Sequence, residues 1–197
     1  AFERPHWYVT KSAYNIRLRV ETIREFIRNL RPERILDIGC GDGSLSLHLL
    51  TAHNHITLLD RSKSMLELAR SHIPEGLTNR VETKNGDFVS VDLPDANFDL
   101  ILCVGVMAYI DDRRAFVRKI LSLLSPGGSL IMECSDGAHF ISRMNRLYDS
   151  VRIKLGGAAF PTIVRPASNL LEILADFDFE PCQSFRYTLP PLAFGKI

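Results

Sequence analysis

The stretch R34-I-L-D-I-G-C-G-D-G-S-L-S-L-H48 decides how the chain is read. Ile35, Leu36 and Ile38 make an apolar run of buried-strand type, Gly39, Gly41 and Gly43 alternate in a tight turn, and Ser44 to Leu50 moves to helical spacing. The expected unit is strand, glycine loop, helix. Three glycines let the backbone come close to a ligand and take turn angles that a β-carbon forbids, and a following helix offers unpaired N–H groups. The ligand's charge is indicated by Asp37, one position before the end of the strand, and by Asp42 inside the loop. A dinucleotide-binding loop runs G-x-G-x-x-G and seats a pyrophosphate on the helix N-terminus, where a neighbouring carboxylate would repel it. Here the spacing is G-x-G-x-G with two acids, which favours a cationic ligand over an anionic one.

On these residues the sequence resembles the class I S-adenosylmethionine-dependent methyltransferases, whose first motif L-D-x-G-C-G-x-G stands here as L36-D-I-G-C-G-D-G43. S-adenosylmethionine carries a sulfonium and an ammonium and no phosphate, so it suits an acidic glycine loop. The resemblance continues through N85-G-D-F88 and L124-S-P-G-G128, and covers roughly residues 34 to 135. It implies an α/β fold, a three-layer α/β/α sandwich with a seven-stranded, mostly parallel sheet whose last strand is antiparallel. The cofactor it implies is S-adenosyl-L-methionine.

Length and composition agree with a single globular domain. The 197 residues suffice for a core without disulfides, and 46% hydrophobic with 24% charged residues is neither disordered nor membrane-like composition. A net charge of +1 gives no bulk attraction to phosphate, so nucleic acid is not the expected partner. No apolar run approaches the roughly 20 residues that span a bilayer, and no secretory leader is visible in a chain that does not begin with Met. Cys40, Cys103, Cys134 and Cys182 are far apart and form no C-x-x-C. They read as reduced core residues rather than a metal site, and the expected setting is cytoplasmic.

Within one domain, four regions are expected: an N-terminal helical lid (1–33), a cofactor-binding core (34–135), a substrate-facing insertion (136–165) and a C-terminal helix with two strands (166–197). In the first, Ile16, Val20, Ile23, Ile27 and Leu30 recur at helical spacing from about Asn15 to Leu30, with arginines between them and Pro32 beyond. One reading is a helix covering the sheet with a solvated arginine face; the other is a lid on the cofactor. For the second, the family resemblance of S12-A-Y-N-I-R-L-R19 implies that Tyr14 and Arg19 approach the methionine carboxylate, which a guanidinium fork can hold bidentately.

After the loop, H55-I-T-L-L-D60 is a second apolar strand ending in an acid seventeen residues beyond Gly43. In nucleoside-binding sheets an acid there accepts hydrogen bonds from ribose hydroxyls. Ser62 is the expected cap of the next helix, which contains Met65. Arg80 to Lys84 is the third strand, and the resemblance places Asp87 against the adenine amino group with Phe88 packed nearby. F98-D-L-I-L-C-V104 is apolar enough for a central parallel strand, so Val104, Gly105 and Met107 should line the methionine side, with core packing as the other reading for Met107. The expected cofactor set is Tyr14, Arg19, Asp37, Gly39, Cys40, Gly41, Gly43, Asp60, Arg61, Met65, Gly86, Asp87, Phe88, Val104, Gly105 and Met107. No N-P-P-Y or D-P-P-Y follows strand four, which counts against enzymes that methylate planar nitrogens of nucleic acid or protein.

D111-D-R-R-A-F-V-R-K-I-L-S-L-L124 is a capped amphipathic helix, and Pro126, Gly127 and Gly128 turn into strand five. A helix is expected from Pro166 to Phe177, with Asn169 and Glu172 at capping-box spacing, then strand six from Phe179 to Leu189 and strand seven from Leu192 to Ile197. The thirty residues from Asp136 to Arg165 are long for a connection, and read as a cover over the carboxyl ends of strands four and five or as a helical embellishment of the sheet.

Methyl transfer is an in-line displacement at an activated carbon, so the protein chiefly aligns, desolvates and at need deprotonates the acceptor. His139 is the best-placed imidazole for that last task, with Tyr109 and His6 behind it. The reading is an S-adenosylmethionine-dependent methyltransferase acting on a small molecule at oxygen or nitrogen. The alternatives are an RNA or protein methyltransferase, a nicotinamide-dependent oxidoreductase and a non-catalytic cofactor-binding subunit. Neither the acceptor nor the oligomeric state is legible.

Overall fold

Strands whose successive side chains must all be buried need a helical layer on each face of the sheet. In the computed structural model, which describes residues 13–95, 97–139, 142, 163 and 165–187, that is how the chain is built. The strands β1 (Arg34–Ile38), β2 (His55–Asp60), β3 (Val81–Asn85), β4 (Phe98–Cys103) and β5 (Leu124–Met132) lie in the order β3-β2-β1-β4-β5, all parallel. Ile35, Ile56, Leu58, Leu100 and Leu102 point to one face and Leu36, Ile38, Leu59, Ile101 and Cys103 to the other, each buried. The first face packs on α1 (Ala13–Ile27), through Ile23, and α2 (Lys63–Ser71), through Leu66 and Ala69; the second packs on α3 (Arg113–Leu123), through Phe116, Val117 and Ile120, and α4 (Ala167–Ala175), through Leu170 and Ile173.

The caps are local chemistry. Ser62 Oγ accepts from Met65 N at 3.4 Å and Asp112 Oδ1 from Ala115 N at 2.9 Å, as expected for helix N-caps. The strand that begins at Leu124 runs on through Pro126 and Gly127, with the register against β4 broken between Phe98 and Leu100, so the expected turn is an irregularity inside the strand.

Three expectations are corrected. The segment after the glycine loop forms a 3-10 turn, Ser46–Leu49, and not an α-helix. The chain has to be back at β2 by His55, and Asn54 already closes the return, accepting from Thr51 N and donating to Leu49 O, both at 2.8 Å. The capping box of α4 does not form: no side chain of its own caps it, Asn169 lies inside the helix, and Asp136 Oδ1 instead accepts from Ala167 N at 3.2 Å. Residues 179–187 pair with no strand among the described residues; the chain leaves α4 through Asp178 at φ +59° and runs exposed through Pro181. Five strands are thus described; Leu192 to Ile197, the expected seventh, lies outside the described residues.

Candidate functional site

Strand order determines where a ligand fits. The chain moves outward from β1 to β2 and β3, then crosses back to β4 on the other side of β1. The connections leaving β1 and β4 therefore part, and the carboxyl ends of those strands open a crevice. The glycine loop fills one lip. Gly39 N and Cys40 N donate to Leu59 O at 2.8 and 3.1 Å, which ties the loop to β2. Gly39 stands at φ +71°, and a β-carbon there would lie 2.5 Å from Val106 Cγ2, so the loop touches the β4 connection with no room for a side chain.

Three carboxylates surround this loop. Asp60 is engaged twice, Oδ2 accepting from Gly41 N at 2.9 Å and Oδ1 from Ser62 N at 2.8 Å. Asp37 is buried, and its Oδ2 receives no hydrogen bond among the described residues; the same is true of the Ser46 hydroxyl and of Asp42 Oδ2. Burial pushes the Asp37 carboxyl up to about 7 and the charge of Asp60 adds to it; the nearby Ser46 hydroxyl works against the rise by its dipole, although it makes no well-formed hydrogen bond to the carboxylate. Buried acceptor atoms without donors are costly, and a cation relieves them where a phosphate would aggravate them. Cys40 is a neutral wall: burial first, then Asp37, Asp60 and Asp42, push its thiol far above the usual range.

The other lip is Gly105, at φ +76°, after β4. Among the described residues, a β-carbon there would meet Glu133 Oε2 at 3.9 Å and Arg19 Nη2 at 4.0 Å. Arg19, from α1, donates to Glu133 Oε1 through Nε at 3.1 Å and Nη2 at 3.0 Å, and Tyr187 donates its hydroxyl to the same oxygen. Arg19 thus lies beside the carboxyl end of β4, with a protein carboxylate as its partner.

Comparison with known proteins bears on the fold. Residues 35–128 match the methyltransferase domain family. That stretch, just under half of the chain, is a methyltransferase domain of the S-adenosylmethionine-dependent kind. Among its relatives, an O-methyltransferase of Aspergillus nomiae is 36% identical over 111 residues, covering 55% of this chain and 49% of that protein. A ubiquinone biosynthesis O-methyltransferase of Aeromonas salmonicida is 28% identical over 144 residues, covering 73% of this chain and 56% of that one. The chain thus spans about half the length of these curated relatives. A methyltransferase of Thermotoga maritima superposes with a TM-score of 0.65 at 21% identity, covering 89% of this chain and 75% of that chain. Magnesium protoporphyrin IX methyltransferase of Synechocystis, solved with bound S-adenosylhomocysteine, gives a TM-score of 0.63 at 20% identity, covering 80% of this chain and 70% of the other. At these identities the structures establish the fold. The match to the methyltransferase domain family removes the nicotinamide oxidoreductase reading.

The methyltransferase core brings together Asp37, Gly39, Cys40, Gly41, Gly43, Asp60 and Met65, whose Cε would lie 3.4 Å from a β-carbon at Gly41. Arg61 Nη1 is 3.5 Å from Asp87 Oδ2, at the rim beyond β2 and β3. Phe88 and Met107 are corrections. The Phe88 ring is buried 4.8 Å from the ring of Phe116, and Met107 is buried in the same core, so neither side chain faces the crevice. Gly86 meets nothing closer than Val91 at 3.6 Å, and no positive φ demands glycine there. Val104 is half-buried, and Tyr14 is exposed on α1.

On the acceptor side, Tyr109 is exposed in the 3-10 turn Met107–Tyr109, and His139 is exposed on the turn after β5. The insertion leaves and returns at one place: Gly137 N donates to Arg165 O at 2.9 Å, and Ile163 N to Ala108 O at 2.6 Å. His6 and most of residues 140–164, with Arg143, Arg146, Tyr148, Arg152 and Lys154, lie outside the described residues. A cavity of about 220 Å³, lined by Asp112, Arg113, Arg165, Asn169 and Glu172 among others, sits between α3 and α4 and not at the glycine loop. Among the described residues no cluster of His, Cys, Asp or Glu suits a metal ion, and no helix is long and apolar enough to cross a membrane. Neither Tyr187 nor Glu133 is in the cofactor set expected from sequence. Glu133 had a signal, since it ends β5 where the carboxyl ends converge; Tyr187 had none.

Proposed function

We propose that this domain transfers a methyl group from S-adenosylmethionine to a small-molecule acceptor, at oxygen or nitrogen, with oxygen favoured by the O-methyltransferases among its relatives. The observation that carries the reading is the glycine loop walled by buried carboxylate oxygens without donors, which suits a cationic adenosyl ligand and repels a pyrophosphate. The cofactor supplies a methyl carbon already activated by its sulfonium. The chain's own residues bind and orient: Asp60 takes the ribose hydroxyls with the lone pairs left over from Gly41 and Ser62, Asp87 meets the adenine amino group, Asp37 neutralises the positive end, and Arg19 takes the methionine carboxylate. The insertion covers the acceptor and excludes water, a neutral His139 imidazole receives the acceptor's proton, and the Tyr109 hydroxyl orients the acceptor by a hydrogen bond.

Calorimetry with S-adenosylmethionine and with NAD tests the binding half, and mass spectrometry for a gain of one methyl across a panel of phenols, enols, carboxylic acids and amines tests the transfer. Binding of NAD in preference to S-adenosylmethionine overturns the reading. Tight cofactor binding with no methylation of any acceptor class makes the domain a non-catalytic cofactor-binding subunit.

A further inference from the structure

A carboxylate at the mouth of a cofactor crevice is costly unless it has a task. Glu133 follows β5, and its backbone N–H still donates to Cys103 O at 3.0 Å, so its position is fixed by the sheet and not by a loop. Its two oxygens are used unequally. Oε1 accepts from Arg19 Nε, Arg19 Nη2 and the Tyr187 hydroxyl. Oε2 is buried and lies 2.8 Å from Arg19 Nη2 as a charge contact, yet no donor among the described residues makes a hydrogen bond to it. That oxygen and Arg19 Nη2 both face the backbone of Gly105, at 3.9 and 4.0 Å from where a β-carbon would stand, beside the carboxyl end of β4. Among the described residues these contacts use Arg19 Nε and Nη2, and a guanidinium has further donors on Nη1 with which to meet a second carboxylate.

A positive and a negative group fixed side by side at the carboxyl end of β4 are complementary to a zwitterion. Resting on the S-adenosylmethionine reading above, we infer that Glu133 is the specificity-determining residue for the α-amino-acid end of the cofactor, its Oε2 accepting from the ligand's ammonium while Arg19 faces the ligand's carboxylate. Tyr187 is the positioning residue. It occupies Oε1, so the carboxylate keeps its orientation when Arg19 shares its donors with the ligand. The phenol stays protonated for this purpose, since burial first and then the neighbouring Glu133 charge push it up to about 12.

The test is calorimetry on the full chain with four uncharged-sulfur ligands: S-adenosylhomocysteine, its deaminated analogue, its decarboxylated analogue and 5′-methylthioadenosine. In the wild type the decarboxylated analogue, which keeps only the ammonium, should bind at least threefold tighter than 5′-methylthioadenosine, and the deaminated analogue at least tenfold weaker than S-adenosylhomocysteine. Glu133→Gln should bring the deaminated analogue to within threefold of S-adenosylhomocysteine and leave 5′-methylthioadenosine within twofold of wild type. Tyr187→Phe should give a smaller narrowing of the same kind. Equal weakening of all four ligands by Glu133→Gln overturns the proposal, since the residue then only supports the fold. If that variant does not fold, the wild-type ranking decides, and a decarboxylated analogue no tighter than 5′-methylthioadenosine overturns it. A wild-type chain that binds none of the four overturns the S-adenosylmethionine reading instead.

Discussion

Replacing Asp37 with Asn should stabilise the protein with rising pH while weakening its hold on the methyl donor. Burial, opposed by the Ser46 hydroxyl and reinforced by Asp60, raises the Asp37 carboxyl from 3.8 to about 7. The sign follows from linkage: a carboxyl that holds its proton more tightly when folded contributes fully below the unfolded value, and the contribution is lost as pH rises towards about 7 and stays lost above it. At about 1.4 kcal/mol per unit, the two units between pH 5 and 7 are worth about 3 kcal/mol, and Asn has no such term. The stability of Asp37→Asn relative to wild type should therefore grow by about 3 kcal/mol between pH 5 and pH 8 in urea titrations. In calorimetry, wild-type affinity for S-adenosylmethionine should fall up to tenfold per pH unit below 7, because the cation needs the ionised acid. Asp37→Asn should bind it weakly at every pH, with adenosine nearly unaffected. A stability difference that does not change with pH, together with equal losses for S-adenosylmethionine and adenosine, would refute the argument and make Asp37 a support of the loop.

Asp60→Ala should weaken S-adenosylmethionine binding by about 1.5 to 3 kcal/mol through lost charge-assisted hydrogen bonds, and should also lower stability, because Gly41 N and Ser62 N lose their acceptor; unchanged affinity in a folded variant removes the ribose assignment. Gly86→Ala should fall within about 0.5 kcal/mol of wild type in urea unfolding, whereas Gly39→Ala, with its positive φ and the 2.5 Å approach to Val106, should cost more than about 2 kcal/mol. Asp136→Ala should lower the melting temperature at neutral pH. Hydrogen bonds from Ala138 N and Ala167 N hold that carboxyl below its ordinary range, so its contribution is lost as pH falls through the lowered value, and the two proteins should converge in acid. Arg143→Ala, Arg146→Ala and Tyr148→Ala combined should leave cofactor affinity within about tenfold, or about 1.4 kcal/mol, while methyl transfer drops further; the reverse pattern assigns the insertion to the cofactor.

The sheet was legible because its apolar runs stop at chemical boundaries. The second strand ends at Asp60 as read from H55-I-T-L-L-D60, and β1 carries its buried side chains from Ile35. Ser62 and Asp112 were legible as caps because a cap acts within three residues of itself. What escaped was non-local or depended on side-chain direction. The Asp136 cap reaches α4 across thirty-one residues, and Tyr187 meets Glu133 across fifty-four. Phe88 follows a turn, where no period says which way a ring points, and packing against Phe116 turned it inward. Helical spacing in Ser44 to Leu50 could not reveal that the return to β2 left no length for an α-helix.

The two halves of the crevice hang from different parts of the sheet. Gly39 and Cys40 are tied to Leu59, and Gly41 to Asp60, so the cofactor lip moves with β1 and β2. The acceptor lip has its own footing: Arg113, buried at the start of α3, donates to Ile163 O at 3.3 Å, and Ile163 N binds Ala108 O beside Tyr109. The ends of the insertion and the turn after β4 thus form one unit fixed to α3, meeting the glycine loop through Val106. Among the described residues, the ends of the insertion meet the turn beside Tyr109, and that turn approaches the glycine loop where Val106 faces Gly39. On the proposed function, acceptor preference would vary with residues 136–165 while Asp37 and Asp60 stay in place, and the cofactor would then be more legible in this chain than the acceptor.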